Sequence, residues 1–348
     1  MIAKYTSRII LILTFLLIML GGLVHNTGSS LACPDWPLCF GQLFPEMIGG
    51  VLIEHSHRLL ATLVGLLTII LFVSSLSSQK NQQKKIDTIN SLLGKNFPKY
   101  NFIFLTFLAL ALVIFQGVLG GITVIYNLPP IISIFHLTTS MLFFCYMIFL
   151  NHKIEFSIDL ISEVNKLQDT SNLYTENLKK FVINKKISTP LMLKKKLFLI
   201  LTIVILMQII LGAYIRHLGA GGVCGSGWDS IFRCMQIING EIDFSLFPSL
   251  LYSKIHMLHR FSSILILIFT IYIFFKFFLK NQLQIENEKG LFLIFFMGVI
   301  FQIMLGILTV ASAIAVIPTT LHLGGATFIL GASWKLFLNS NKEHKENI

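Results

Sequence analysis

Charged side chains are scarce. They make up 12% of the 348 residues, whereas an average soluble domain carries about 25%. With 55% apolar residues, this argues against a soluble enzyme and for a chain solvated by lipid. A glycine-rich dinucleotide or flavin fingerprint is also missing. Any electrons this chain handles therefore pass to or from another protein or a quinone. Cysteines number five and none sits in a C-x-x-C pair, which argues against a thioredoxin-like redox motif. Basic residues are absent from 26–50, 126–130 and 313–315, and that gap proves informative.

What is present is a series of long apolar runs. Eight are near or above the roughly 20 residues that cross a bilayer as a helix: 8–25, 51–75, 101–125, 130–151, 195–217, 251–275, 289–312 and 316–338. Their length, without alternation, means helices rather than a barrel. The first run follows Lys4 and Arg8 but is too long for a signal core and has a counterpart at 195–217, so it is read as a helix. The +11 net charge is confined to one side. Of 27 Lys and Arg, 22 lie at the termini, between runs two and three, between Lys153 and Lys196, or between runs six and seven. Positive loops stay in the cytoplasm. Both termini are therefore expected inside, and the loops after runs one, three, five and seven outside. The basic excess is a topology signal, not a nucleic-acid footprint.

The chain repeats itself. Gly21, Gly28 and Cys33 match Gly212, Gly219 and Cys224 at one offset; His57-Arg58 matches His259-Arg260. Phe115-Gln116, Leu119-Gly120, Thr123-Val124 and His136-Leu137 match Phe301-Gln302, Leu305-Gly306, Thr309-Val310 and His322-Leu323. Matches at Gln, Thr, His and Cys carry more weight than matches of Leu or Ile. The expected fold is an all-α membrane protein of eight transmembrane helices, arranged as two four-helix bundles related by a pseudo-twofold axis along the membrane normal. The expected boundaries are 1–151, a polar Lys-rich cytoplasmic linker at 152–194, and 195–348.

Four of the ten histidines stand apart. His57, His136, His259 and His322 lie at similar depth from the outer side, two in each half. Ionisable groups inside membranes are costly and usually functional. Two imidazoles facing across a bundle core suit the axial positions of a haem. A tetrahedral metal needs more ligands nearby, and no cysteine lies near either pair. Arg58, Arg260 and Arg216 are candidates to pair with haem propionates near the interface. Gly324, Gly325, Thr138 and Ser140 are small enough to let a planar ligand approach. His152 and His344 are expected in solvent, His25 and His217 at the interface or a haem edge, and His55 is unassigned. Glu54 lies three residues before His57, on the same helix face; the matching position in the second half is His256. A carboxylate there can act as a base, or it can cap the helix. The asymmetry points to the first half as the reactive one. On the oxidising outer side, Cys33 with Cys39 and Cys224 with Cys234 can form disulfides. Cys145 is read as a small hydrophobe.

These residues resemble a known family. Asn26-Thr27-Gly28-Ser29, then Cys33-Pro34-Asp35-Trp36-Pro37-Leu38-Cys39, then Glu54-His55-Ser56-His57-Arg58 are similar to bacterial haem A synthase. The likeness extends over nearly the whole chain, apart from the Lys-rich linker. It implies an inner-membrane enzyme that oxidises a methyl group of haem O to the formyl group of haem A for terminal oxidases. It implies that His57 and His136 flank the substrate haem O, that His259 and His322 ligate a haem b cofactor, and that Glu54 is catalytic. It also implies disulfides Cys33–Cys39 and Cys224–Cys234. Implied partners are a haem O synthase, an electron-transfer protein or quinone, and membrane lipid, with homo-oligomerisation open and no nucleic acid. Rival readings are a di-haem b electron carrier, a disulfide-forming quinone reductase and a transporter. None of these accounts for Glu54, four matched histidines and both cysteine loops together.

Overall fold

The computed structural model describes residues 2–93, 100–168, 189–238, 241–248, 250–279, 283 and 286–340. Eight of its helices are long and apolar enough to cross a membrane, as expected of a multi-pass membrane protein. They are α1 (Ile2–Asn26), α2 (Gly49–Leu93), α3 (Phe102–Ile125), α4 (Pro130–Gln168), α5 (Thr189–His217), α6 (Leu251–Ile273, continued by a π turn at Phe274–Phe278), α7 (Glu286–Ala311) and α8 (Val316–Asn339). The ends expected on the outer side agree with the apolar runs to within two residues. At the other ends several helices overrun them. The α2 helix continues through a Lys- and Gln-rich stretch, because straight-chain polar residues sustain a helix once apolarity is no longer required. The first part of the expected linker, 152–168, continues α4 in the same way. Its centre, 169–188, and His344 lie outside the described residues. His152 is not in solvent: it is 7% exposed, with Lys335 Nζ 3.4 Å from its Nδ1.

The turns repeat between halves. Gly28 and Gly219 close α1 and α5 with φ of 70° and 68°, a left-handed conformation that favours glycine. After α3, Asn127 and Leu128 take φ of 55° and 61°; after α7, Ala313 and Ile314 take 54° and 62°. In both turns the second of these residues donates its N–H back to a threonine carbonyl, Leu128 to Thr123 at 2.7 Å and Ile314 to Thr309 at 2.8 Å. The outer loops differ. The second contains a β-hairpin, β1 (Cys234–Ile238) antiparallel to β2 (Glu241–Ser245), which the sequence reading did not anticipate.

Within each half the helices pack as neighbours, α1 on α2, α3 on α4, α5 on α6 and α7 on α8. The halves meet through α1 and α4 against α5 and α8. The largest buried cluster straddles this junction, joining Ile18, Met141, Phe144 and Ile148 to Phe198, Leu201, Ile329 and Leu330. Trp334 Nε1 donates across it to the Cys145 carbonyl at 2.8 Å. Cys145 itself is a free, partly buried thiol. Large side chains such as Ile131, Leu66, Met207 and Phe301 stay exposed, as lipid-facing residues do.

Candidate functional site

The helix starts set the histidine depths. His57 and His259 each lie eight residues beyond the first residue of α2 and α6, and His136 and His322 six beyond that of α4 and α8. At 1.5 Å per residue these are depths of about 12 Å and 9 Å. Every one of the four rings is seated against a glycine of a neighbouring helix. A Cβ at Gly21 would lie 3.0 Å from His57 Cε1, at Gly120 3.3 Å from His136 Cε1, at Gly212 3.1 Å from His259 Cε1, and at Gly306 3.0 Å from His322 Cε1. These glycines are matched positions of the repeat, and the fold makes each one the seat of a histidine ring.

Glutamines fix the partner histidines. Gln116 Nε2 donates to the His136 carbonyl at 2.6 Å and lies 3.2 Å from its Nδ1. Gln302 Nε2 does the same for His322, at 2.8 and 3.1 Å. Gln208 Nε2 donates to the His259 carbonyl at 2.7 Å, and its Oε1 accepts from Ser262 at 2.5 Å. Thr139 donates to Gln116 Oε1 at 2.6 Å. At the matching place in the second half stands Gly325, where a Cβ would lie 2.2 Å from Gln302 Oε1. Gly324 faces Met19 of α1, while Thr138 and Ser140 bond back to Ile134 and Leu137 carbonyls. The two glycines thus admit protein side chains, a correction to their expected role of admitting a ligand.

Do these residues fit a haem? In the second half the His259 and His322 ring centroids are 6.5 Å apart with planes at 75°. Two metal–imidazole bonds of about 2 Å, plus about 1 Å from each nitrogen to its ring centre, place axial ligands roughly 6 Å apart between centroids. Orphaned donors lie buried in the same half: Arg216 Nε, Arg260 Nε and Nη2, with His259 Nδ1 also unpartnered. Buried polar groups are ordinarily satisfied, so unpaired guanidinium nitrogens suit carboxylates such as propionates. The second half fits a haem. In the first half His57 Nδ1 is likewise buried and unpartnered.

Arg58 is otherwise engaged. Its Nη1 donates to the Asp35 carbonyl at 2.6 Å and to the Leu38 carbonyl. Its Nη2 donates to the Cys33 carbonyl at 3.1 Å and to Glu54 at 2.5 Å. Glu54, 3% exposed, accepts from Cys33 N at 2.7 Å through its other oxygen. Both ends of the Glu54–Arg58 pair therefore hold the Cys33–Cys39 loop, whose disulfide is formed. Arg260 clamps the second loop less fully, donating through Nη1 to Ser230 and Ile231 carbonyls at 2.5 and 3.1 Å. That loop carries the Cys224–Cys234 disulfide. His256 Nε2 bonds the Gly221 carbonyl at 3.1 Å, so Glu54 and His256 each tie a helix to its own outer loop. His25 and His217 pair with each other, ring centroids 4.5 Å apart, where α1 and α5 end.

Outside the membrane spans, Asp35 organises the first loop. Its carboxylate accepts from Phe40 N and Gly41 N, both at 2.7 Å. These two residues have φ of 53° and 70°. The Gly41 N–H first, then burial in the opposite sense, then the Phe40 N–H and the Arg58 charge set the balance, holding the carboxyl below its usual range. Trp36 of this loop lies on α3, where a Cβ at Gly121 would meet its Cδ2 at 2.6 Å. Gly121 adjoins Gly120, the seat of His136. The loop thus touches the helix that positions the first-half histidine.

Known proteins share this arrangement of sequence. The family model described as cytochrome oxidase assembly protein matches residues 5–49 and 48–334. The heme A synthase of Bacillus licheniformis is 26% identical over 322 residues, 91% of this chain and 87% of that protein. That of Lysinibacillus sphaericus is 26% identical over 315 residues, 88% and 85% of the two chains. That of Shouchella clausii is 34% identical over 137 residues, 39% of this chain and 40% of its own length. Matched over nearly its whole length, the chain belongs to the cytochrome oxidase assembly protein family, the haem A synthase family that its sequence resembles.

Proposed function

We propose that this protein is a haem A synthase, an oxidoreductase of haem A biosynthesis that converts the methyl group of haem O to the formyl group of haem A. The carrying observation is the four-fold seat: each histidine rests on a glycine of the neighbouring helix, at depths that pair within each half. The second half, 195–348, would hold haem b between His259 and His322, with the unpaired nitrogens of Arg260 and Arg216 available to its propionates. The spacing of the two rings and the unpaired guanidinium nitrogens support this. The first half, 1–151, takes haem O between His57 and His136. Haem b would supply one-electron chemistry; the protein supplies binding, orientation and electrostatics.

Methyl to formyl is two successive two-electron oxidations, through an alcohol and then a hydrate that loses water. Glu54 is proposed as the base that takes a proton from the attacking water. In the structure its carboxylate is held by Arg58 and Cys33 N, so it acts from a fixed position beside the first loop. Electrons leave to a partner protein or quinone, and substrate arrives from a haem O synthase. Both termini face the cytoplasm of a bacterial inner membrane and the cysteine loops face out. The basic loops support that orientation.

The test is co-expression with a haem O synthase, followed by haem extraction and chromatography, for the intact protein and Glu54→Ala. Haem A or its hydroxylated intermediate should appear with the first and fall with the second. Recovery of only haem b and unmodified haem O from haem-loaded intact protein, with electron exchange supplied, would refute the proposal in favour of a di-haem electron carrier.

A further inference from the structure

His55 has no part in the haem reading, yet it is placed with care. It is 3% exposed. One of its ring nitrogens and the Sγ atoms of Cys33 and Cys39 lie within 4.8 Å of one another. Nε2 lies 2.9 Å from the Leu43 carbonyl. A carbonyl can only accept, so Nε2 carries the proton and Nδ1 keeps its lone pair. Nδ1 is buried and without a hydrogen-bond partner. A ring that donates one N–H to a backbone carbonyl and leaves the other nitrogen bare is the arrangement of a metal-binding histidine.

We propose that Cys33, Cys39 and His55 form a binding site for a zinc-type divalent cation that is present only when the Cys33–Cys39 disulfide is reduced. Two thiolates and an imidazole are a zinc donor set, and a solvent molecule completes the tetrahedron. Around such an ion neighbouring donor atoms stand about 3–4 Å apart, from bonds of about 2.0–2.3 Å. The three donors are already gathered within 4.8 Å, so only a small shift follows S–S cleavage. Reduction takes two electrons and two protons from a dithiol, which leaves as its own disulfide. The cation then displaces the two thiol protons. Reoxidation releases the cation and passes two electrons back to a disulfide partner. The second half lacks the site: the residue matching His55 is Met257, packed against Cys224 and Cys234. Zinc is held by thiolate, imidazole and carboxylate donors, so Met257 leaves the second pair one ligand short.

The site uses none of the four haem-facing histidines, so it stands or falls separately from the proposed activity. The experiment uses the full-length protein in detergent with its haem content recorded. It is reduced with a phosphine, desalted without oxygen, and titrated with Co2+ as a zinc stand-in, then with Zn2+. One equivalent of Co2+ should give a thiolate-to-cobalt charge-transfer band, which Zn2+ abolishes, in reduced protein only. His55→Gln, which keeps a donor for the Leu43 carbonyl, should weaken binding at least tenfold. Met257→Leu should leave it unchanged. Cys33→Ser with Cys39→Ser should remove the band. A band surviving in that double variant would place the thiolates at the second pair and overturn the assignment. Equal affinity in His55→Gln, or no band in reduced wild type, would overturn it too.

Discussion

Arg58 should control how readily the first disulfide is reduced. Its guanidinium makes four bonds, to the carbonyls of Cys33, Asp35 and Leu38 and to Glu54. The Arg58 and Glu54 side chains are 12% and 4% exposed, so solvent screens the pair little. Removing one partner of a buried pair costs about 3–5 kcal/mol. If about 3 kcal/mol of this falls on loop opening, the open population rises roughly 100-fold, at about 1.4 kcal/mol per factor of ten. Arg58→Lys keeps a charge for Glu54 but cannot span three carbonyls; losing one or two hydrogen bonds at about 1 kcal/mol each gives roughly a tenfold rise. The assay is the rate at which a phosphine reduces Cys33–Cys39, followed by alkylation and mass spectrometry. Cys224–Cys234 is the internal control and should not change. Arg260→Lys should reverse the pattern, speeding only the second pair and by less, because Arg260 grips its loop through Nη1 alone. If Arg58→Lys and Arg58→Ala both leave the first pair within twofold of wild type, or speed both pairs alike, the clamp reasoning is wrong.

The ring seats predict haem loss from remote glycines. Gly306→Ala, placing a Cβ 3.0 Å from His322 Cε1, should displace that ring by a few tenths of an ångström and lower haem b per protein in pyridine haemochrome assays; unchanged haem content would show that the seat is loose. Lys194 and Glu288 form a buried pair at 2.9 Å, 9% and 2% exposed. Lys194→Met should destabilise the protein by about 3–5 kcal/mol, and adding Glu288→Leu should restore most of it, as read by thermal melting in detergent; equal melting of the single and double variants would contradict this. Asp35 has its carboxyl held below the ordinary value of 3.8. A depressed folded value stabilises the loop above the unfolded pKa, and that support is lost as pH falls through the folded one. Phosphine reduction of Cys33–Cys39 should therefore stay steady from neutral pH to about pH 4 and accelerate below it, and Asp35→Asn should remove the acid step. An acid step that survives in Asp35→Asn would assign it to another group.

Much of this arrangement is legible from sequence because lipid leaves few choices. Apolar length marked eight helices. Matched His, Gln and Gly positions marked the repeat. The sequence missed where hydrogen bonds are local and geometric. Arg58 follows His57, and sequence order alone pointed it at a propionate; the helix turn instead places it under three loop carbonyls. Gly324 and Gly325 looked like room for a ligand, but Met19 and Gln302 fill that room. The hairpin of the second loop was hidden because Cys234–Ile238 and Glu241–Ser245 are too short to stand out beside long apolar helices. His55 could have been suspected from its adjacency to Glu54, but its distance to the disulfide depends on how the loop folds back.

Four differences between the halves gather in one place. Glu54 stands where the second half has His256, His55 where it has Met257, Thr139 where it has Gly325, and Gly121, the rest for Trp36, where it has Ile307. All four lie on or beside the outer end of the first bundle, and three contact the Cys33–Cys39 loop or a residue that it covers. A duplicated pair of haem holders that only passed electrons would have no reason to diverge there while keeping its histidines, ring-seat glycines and one glutamine in register. On the proposed function, divergence at the first loop and the residues beneath it fits a division of labour: one half would serve as a fixed cofactor site, the other would carry a carboxylate and a covering loop. Exchanging Glu54 and His256 between halves tests this directly. Glu54→His with His256→Glu should keep haem b in the second half and abolish product formation, because the carboxylate would then sit beside the cofactor and under a loop that lacks Trp36. Product formation retained in the exchanged protein would mean that the halves are interchangeable and that the division of labour is not built into these positions.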